Sequence, residues 1–168
     1  MNSTVIYDIL NEDFIFWTLS KEYIIVPLLL LVIVFYFSIK KNEYRKIFVF
    51  SGIFLLWVVV LSVGILFRYS TYTKVKKARL NNEFEIVNGT INNLKIETGR
   101  INFQNFTVNG VLFEISDNVT NGGYNKTVLN GSPIREGACV KIYYINKIND
   151  NIIVRLELMK KTECYNEP

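Results

Sequence analysis

Two uninterrupted apolar runs, residues 23–39 and 47–67, stand close together with only Lys40-Lys41-Asn42-Glu43-Tyr44-Arg45-Lys46 between them. At roughly 1.5 Å per helical residue they span about 25 and 31 Å, close to a hydrocarbon core of about 30 Å. Neither run contains Asp, Glu, Lys or Arg, so the pattern predicts a transmembrane helical hairpin. Pro27 falls in the first turn of the first helix, where a missing amide costs no helical hydrogen bond. A cleaved signal peptide is the competing reading, and it fails on charge order. Asp8, Glu12, Asp13 and Glu22 precede the run where a signal peptide carries positive charge, and no small-residue cleavage site follows it.

Beyond residue 83 the apolar period drops to two. Phe84 and Ile86 alternate with Glu85, and Gly89 shifts the phase before Ile91, Leu94 and Ile96, as a bulge in a bent strand does. Phe106 and Val108 then face Val111, Phe113 and Ile115 across Asn109-Gly110, a pair that tolerates the positive φ of a tight hairpin turn. Val140, Ile142 and Tyr144 face Ile152, Val154, Leu156 and Leu158 across Asn149-Asp150-Asn151. The pattern gives five strands, near 84–97, 101–108, 111–116, 139–146 and 152–160. A bent first strand, a hairpin, an insertion and a final hairpin is the order of an OB-like small barrel, with an SH3-like barrel or a flat meander as alternatives. The expected fold class is an α+β membrane protein: a transmembrane helical hairpin followed by a five-stranded OB-like β-barrel. Its parts are an acidic tail (1–22), the hairpin (23–67), a basic linker (68–83), the barrel (84–160) and a C-terminal tail (161–168). The linker either continues the second helix as a stalk or lies as a loop on the headgroups.

Charge sharpens this division. The formal net charge is +4, but residues 1–79 carry ten Lys and Arg against five Asp and Glu, and residues 80–168 carry nine against ten. The basic excess flanks the membrane: Lys40, Lys41, Arg45 and Lys46 in the short loop, and Arg68, Lys74, Lys76, Lys77 and Arg79 after the second run, are candidate membrane-surface residues. A head this close to neutral lacks the basic stripe that nucleic acid requires, and nucleic acid is not an expected partner. The two clusters disagree on orientation. Four cations in the short loop place it in the cytoplasm with both termini outside, whereas the later cluster points the other way. Weighting the first helix and the compact loop gives a two-pass protein of the plasma membrane with an extracytoplasmic head.

The insertion at 117–137 has four glycines and no helical period, and a long loop in a compact head is the best site candidate. Tyr124, Asn125, Lys126, Thr127 and Arg135 offer a ligand an aromatic face, an amide, a hydroxyl and two cations. The competing reading is turn chemistry, with Asn125 and Thr127 bonding to nearby backbone while Pro133-Ile134 plugs the barrel end. Reactive chemistry is sparse. The chain has no histidine and no CxxC, which removes a His-based triad and the ordinary zinc sites, and Asn121-Gly122-Gly123 has neither the spacing nor the helix start of a phosphate loop. No catalytic residue, metal or cofactor is expected, and the chain is read as a non-enzyme. Cys139 and Cys164 either pair, outside the cytoplasm, or stay reduced within it. The Asn-x-Ser/Thr triplets follow from an Asn-rich composition.

Val87-Asn88-Gly89-Thr90-Ile91, the 105–113 hairpin, Gly123-Tyr124-Asn125-Lys126-Thr127, the 131–137 turn and Val140-Lys141-Ile142-Tyr143-Tyr144 resemble motifs of a group of uncharacterised small bacterial membrane proteins with two transmembrane helices and an OB-like C-terminal domain. Ser132 stands where that group's turn has a second glycine. The resemblance covers residues 84–158 and implies a membrane-anchored OB-like head without transferring an activity. The expected role is a non-enzymatic binding module on the lipid bilayer, presenting its head to a protein partner, an envelope ligand or a second copy of itself. The alternative is a structural accessory subunit of a larger membrane complex.

Overall fold

The computed structural model describes residues 3–12, 28, 29, 32, 36, 44–99, 102–117, 121–147, 150–160 and 164. The chain divides into two compact units, Phe14–Tyr69 and the combination of Met1–Asp13 with Ser70–Pro168. The helix α1 (Tyr44–Leu80), 37 residues long, begins in the first unit, and its residues from Ser70 onward belong to the second. Within α1, Ser51–Leu80 is long and apolar enough to cross a membrane. Its side chains Ile53, Leu55, Leu56, Val60, Val63 and Leu66 are exposed. Ser62 donates to the Val58 carbonyl at 2.8 Å, which satisfies its hydroxyl within the helix. The helix does not stop at the end of the apolar run but continues through the basic residues to Leu80, so the 68–80 stretch is helical. The chain reverses there at Asn82, whose φ of 59° ends the helix in the left-handed region.

The second unit is a six-stranded antiparallel sheet of β1 (Thr4–Asp8), β2 (Glu85–Glu97), β3 (Phe103–Val108), β4 (Val111–Ser116), β5 (Cys139–Lys147) and β6 (Asp150–Leu158), in the order β1-β6-β5-β2-β3-β4. β2 is long enough to serve two partners. Residues 85–90 pair with β5 and residues 91–97 with β3, and the change falls just after Gly89. A register shift follows at Asn93, whose φ is 57°. The β3–β4 hairpin turns on Asn109 and Gly110, with φ of 47° and 84°, as a type I′ turn requires.

One face of the sheet carries the main core: Val87, Ile91, Phe106, Val108, Phe113, Ile115, Val140, Ile142, Tyr144, Ile153 and Leu156, with Tyr124 and Ile134 from the β4–β5 connection. Phe113 makes an edge contact with Tyr144 at 5.3 Å and stacks on Phe106 at 5.5 Å. Burying each such ring contributes about 2–3 kcal/mol relative to leaving it in water. On the other face Val75 from the end of α1 packs with Ile9, Ile152 and Val154 in a second, smaller core.

These observations correct the expected fold class. Among the described residues there is one long apolar helix and a six-stranded open sheet, where two transmembrane helices and a five-stranded closed OB-like barrel are expected. Of the 23–39 run only Leu28, Leu29, Val32 and Tyr36 are described, each in helical conformation, and the rest of that expected span lies outside the described residues. The barrel fails to close for a physical reason. Closing it needs the free edge of β6 to ladder onto β4, and that edge is already occupied. β1 pairs with Arg155–Leu158, and the Tyr124 amide takes the Ile153 carbonyl at 2.8 Å. What bridges β4 and β6 is a side chain, Asn151 Nδ2 donating to the Leu112 carbonyl at 2.8 Å.

Candidate functional site

The β4–β5 connection is built as a braced plug. Asp117, directly after β4, accepts the Thr127 amide at 2.8 Å and the Thr127 hydroxyl at 2.5 Å, tying the two ends of the first half of the loop. Burial pushes the Asp117 carboxyl up, but these two hydrogen bonds and one from the Asn130 side chain outweigh it, so its pKa lies below the ordinary carboxylate value. Asn121 accepts the Gly123 amide at 3.1 Å, an Asx-type turn, while its own amide donates to Asp150 at 2.9 Å. The loop then runs over the start of β6 so closely that a Cβ on Gly123 would lie 2.5 Å from Ile152 Cγ2 and 2.7 Å from the Ile153 carbonyl oxygen. Gly122, at φ 85°, passes the helix less tightly, with Tyr72 Cα and Val75 Cγ2 each 3.3 Å from the position of a Cβ.

Tyr124 turns into the core, donates its hydroxyl to Ser132 at 2.8 Å and meets Tyr7 of β1 at 5.2 Å between ring centroids. Burial raises the pKa of its phenol, the Ser132 hydrogen bond opposes this and the Asp117 charge adds to it. The second half of the loop is held by its own polar groups. Arg135 donates to the Ser132 and Ile134 carbonyls at 2.7 and 2.8 Å, and Glu136 accepts the Asn93 and Leu94 amides at 3.1 and 2.7 Å, capping the bulge in β2.

The five residues expected to form the site therefore separate. Tyr124 and Thr127 are buried, Asn125 donates its amide to Asn121 and Gly123 at 2.9 and 3.3 Å, and Arg135 is pinned to loop carbonyls. Lys126 is exposed and lies along Gly131, beside Leu129 and Asn130, which are exposed too. The outer surface of the plug is thus a tip around Lys126 and 129–131 together with the exposed Arg135 and Glu136, and most of the polar side chains that drew attention to the loop hold its shape. Gln104, fully buried on β3, accepts the Val128 amide at 2.9 Å through its Oε1, while its Nε2 has no hydrogen-bond partner among the described residues.

A second constellation carries no sequence signal. Asp8 at the end of β1 accepts from Arg155 of β6 at 3.2 Å and from Arg79 of α1 at 3.5 Å. Arg155 Nε also sits 2.6 Å from Glu157, an ion pair by distance whose N–H is not aligned for a hydrogen bond. The Arg79 guanidinium lies 4.7 Å from the Phe84 ring and 5.4 Å from that of Tyr143, and Arg155 lies 5.3 Å from Tyr143. Nearby, the Tyr72 hydroxyl donates to the Glu12 carbonyl, and Lys76 donates to the same carbonyl at 3.2 Å. Two segments 60 residues apart are fastened at one place. Asp8 follows a Thr-Val-Ile-Tyr run with strand character, but a long-range partner such as Arg79 leaves no local trace in the sequence.

The candidate membrane-surface residues fall into three groups. Lys40 and Lys41 lie outside the described residues, and Arg45 and Lys46 sit in the first turns of α1. Farther along, Lys76 and Arg79 are engaged as above, while Lys74 and Lys77 are exposed and Arg68 is half-buried. Cys139 and Cys164 form a disulfide with Cα atoms 5.9 Å apart, tying the C-terminal segment to β5. Among the described residues no three Cys, Asp or Glu converge as metal ligands. No family model matches the chain, and neither a curated protein nor a solved structure matches it.

Proposed function

We propose that the chain is a membrane-anchored, non-enzymatic binding module whose sheet domain is presented to a protein partner or envelope ligand. The observation that carries this reading is the continuity of α1. The helix that exposes Val60, Val63 and Leu66 goes on, without a break, to bury Val75 against Ile9, Ile152 and Val154. The same helix thus supplies both an apolar stretch suited to a bilayer and a side chain of the head's own core, which ties the sheet domain to its anchor. The contact surface is the tip around Lys126 and Leu129, exposed and held by the Asp117 and Tyr124 bonds behind it.

The strand pairing supports a membrane topology. β1 is hydrogen-bonded to β6, and Glu12 is bonded to Tyr72, so both ends of the 14–69 segment sit on one side of any bilayer it enters. A chain that crosses on α1 must then cross an even number of times, which favours a two-pass arrangement. The Cys139–Cys164 disulfide favours the oxidising, extracytoplasmic side for the head. Single cysteines at Ser3 and Lys147, in a Cys139→Ser/Cys164→Ser background, test this with a membrane-impermeant thiol reagent on whole cells. Labelling at both is expected, and labelling at one alone sinks the arrangement.

A photo-crosslinking residue at Leu129 tests the binding reading, with one at Val63 as its counterpart. A specific adduct from Leu129 supports it. Adducts from Val63 alone favour the second reading, an accessory subunit packing into a larger membrane complex, which the exposed apolar side chains around α1 also suit.

A further inference from the structure

We infer that Lys74 and Lys77 form a contact surface for anionic lipid headgroups, on the side of α1 turned away from the sheet. The inference rests on the membrane-anchored reading and adds which residues meet the lipid and of what charge. At 100° per residue, Tyr72, Val75, Lys76 and Arg79 share one face of the helix, and each is engaged with the head: Tyr72 and Lys76 with Glu12, Val75 in the smaller core, Arg79 with Asp8 and two aromatic rings. Lys74 and Lys77, three residues apart, lie together on the opposite face. Both are exposed, and neither makes an ion pair among the described residues.

That opposite face is continuous with the apolar surface. Following it toward the helix start passes Ser70 and then Phe67, Leu66 and Val63, all exposed. At about 1.5 Å per residue, Lys74 stands roughly 10 Å and Lys77 roughly 15 Å beyond Phe67, where the apolar run ends. The headgroup layer on each side of a bilayer is about 5–8 Å deep. Helical side chains lean toward the helix N-terminus, which here is back toward the apolar run, and a lysine stem can lie along the helix while its ammonium reaches a polar layer. Lys74 is therefore placed to reach the headgroups, and Lys77 to lie within a Debye length, about 8 Å, of their surface charge. The occupant is set by covalent continuity: a segment that emerges from the hydrocarbon meets the headgroups before any other partner. Its sign is set by charge complementarity with two free cations.

The test uses the full chain in detergent micelles, titrated with phosphatidylglycerol or phosphatidylcholine and read by native mass spectrometry. The unaltered protein is expected to retain phosphatidylglycerol in preference to phosphatidylcholine, with the preference lost in high salt. Lys74→Gln and Lys77→Gln should each weaken phosphatidylglycerol retention about fivefold, and the pair about 25-fold. Lys95→Gln, on an exposed part of β2, should leave it unchanged, and the Lys74→Arg/Lys77→Arg variant should retain it. Unchanged retention in the double Gln variant, or an equal loss from Lys95→Gln, overturns the inference. Alkaline carbonate extraction of the membranes separates the two readings. Release of the protein sinks the anchored reading itself, whereas a chain that stays embedded yet ignores lipid charge sinks this inference alone.

Discussion

Asp8, on the first strand of the sheet, and Arg79, on the last turn of the helix, are 71 residues apart in sequence and 3.5 Å apart in space. The Asp8 side chain is 7% exposed and that of Arg79 11%, so removing the carboxylate leaves the Arg79 guanidinium without its ion-pair partner away from bulk water, while Arg155 keeps Glu157. Asp8→Ala is expected to destabilise the head by about 3 kcal/mol, the cost of breaking a largely buried pair from one side. Chemical denaturation in detergent, followed by near-UV circular dichroism, measures it. The first cleavage in limited proteolysis should move to the N-terminal strand. A variant that unfolds at the same denaturant concentration as the unaltered chain would show the clamp to be dispensable.

Tyr124 offers a graded test of the plug. Tyr124→Phe keeps the ring against Tyr7 and loses the bond to Ser132, for about 1 kcal/mol. Tyr124→Ala opens the core, and the expected loss is about 3–5 kcal/mol. Equal effects from the two variants would mean that the ring's packing adds nothing.

Gly123→Ala forces a methyl group to within 2.5 Å of Ile152 Cγ2 and 2.7 Å of the Ile153 carbonyl oxygen. Backbone cannot yield as a flexible side chain does, so the loop must lift from β6, at an expected cost of about 1–3 kcal/mol. Faster hydrogen exchange at the Tyr124 amide, which bonds to the Ile153 carbonyl, reports the lift directly.

Asp117 gives the head an acid-sensitive joint. Its carboxyl titrates below the ordinary carboxylate range: burial pushes it up, but the Thr127 and Asn130 hydrogen bonds to the ionised form outweigh that. A depressed pKa means the unfolded chain binds the proton first. The stabilisation is thus complete above the unfolded value and is lost as pH falls through the folded one. Stability measured from pH 5 down to pH 2 should fall more steeply in the unaltered chain than in Asp117→Asn. Parallel curves would exclude Asp117 as the source.

Reduction of Cys139–Cys164 releases a 25-residue loop closure, and the chain-entropy relation assigns it about 3.5 kcal/mol. The Cys139→Ser/Cys164→Ser variant should match the reduced protein in stability. A variant as stable as the oxidised chain would show the cross-link to be thermodynamically silent.

The hairpin of β3 and β4 was legible in the sequence because everything that makes it is local: alternation at Phe106, Val108, Phe113 and Ile115, and a turn pair whose positive φ is built into Asn109-Gly110. The bulge expected at Gly89 lies instead at Asn93: β2 keeps unbroken register with β5 through Gly89, with Val87 and Ile91 buried in one phase and Ile86 exposed. The strand ends fall within about two residues of the expected ones. β1 was not legible. Val5, Ile6 and Tyr7 have strand character, but five residues beside an acidic stretch read as a charged tail until the distant edge of β6 is there to receive them. Missing that strand also mispredicts the closure, since a barrel follows only if the β6 edge is free. The 117–137 loop was found by length, yet its polar residues read equally as ligand contacts or as turn bonds. The turn bonds become visible only once Asp117, Ser132 and the Asn93 amide are placed. Turn chemistry and ligand chemistry draw on the same side chains.

The shared fastening of Glu12 and Tyr72 has a practical corollary. Excising everything from Phe14 to Tyr69 and splicing Asp13 to Ser70 through a few flexible glycine and serine residues would keep every strand of the sheet, the disulfide and the Asp8 clamp, because among the described residues their partners all lie outside the removed stretch. The product would be a water-soluble miniature amenable to crystallisation and solution NMR, with its N-terminal strand still in register.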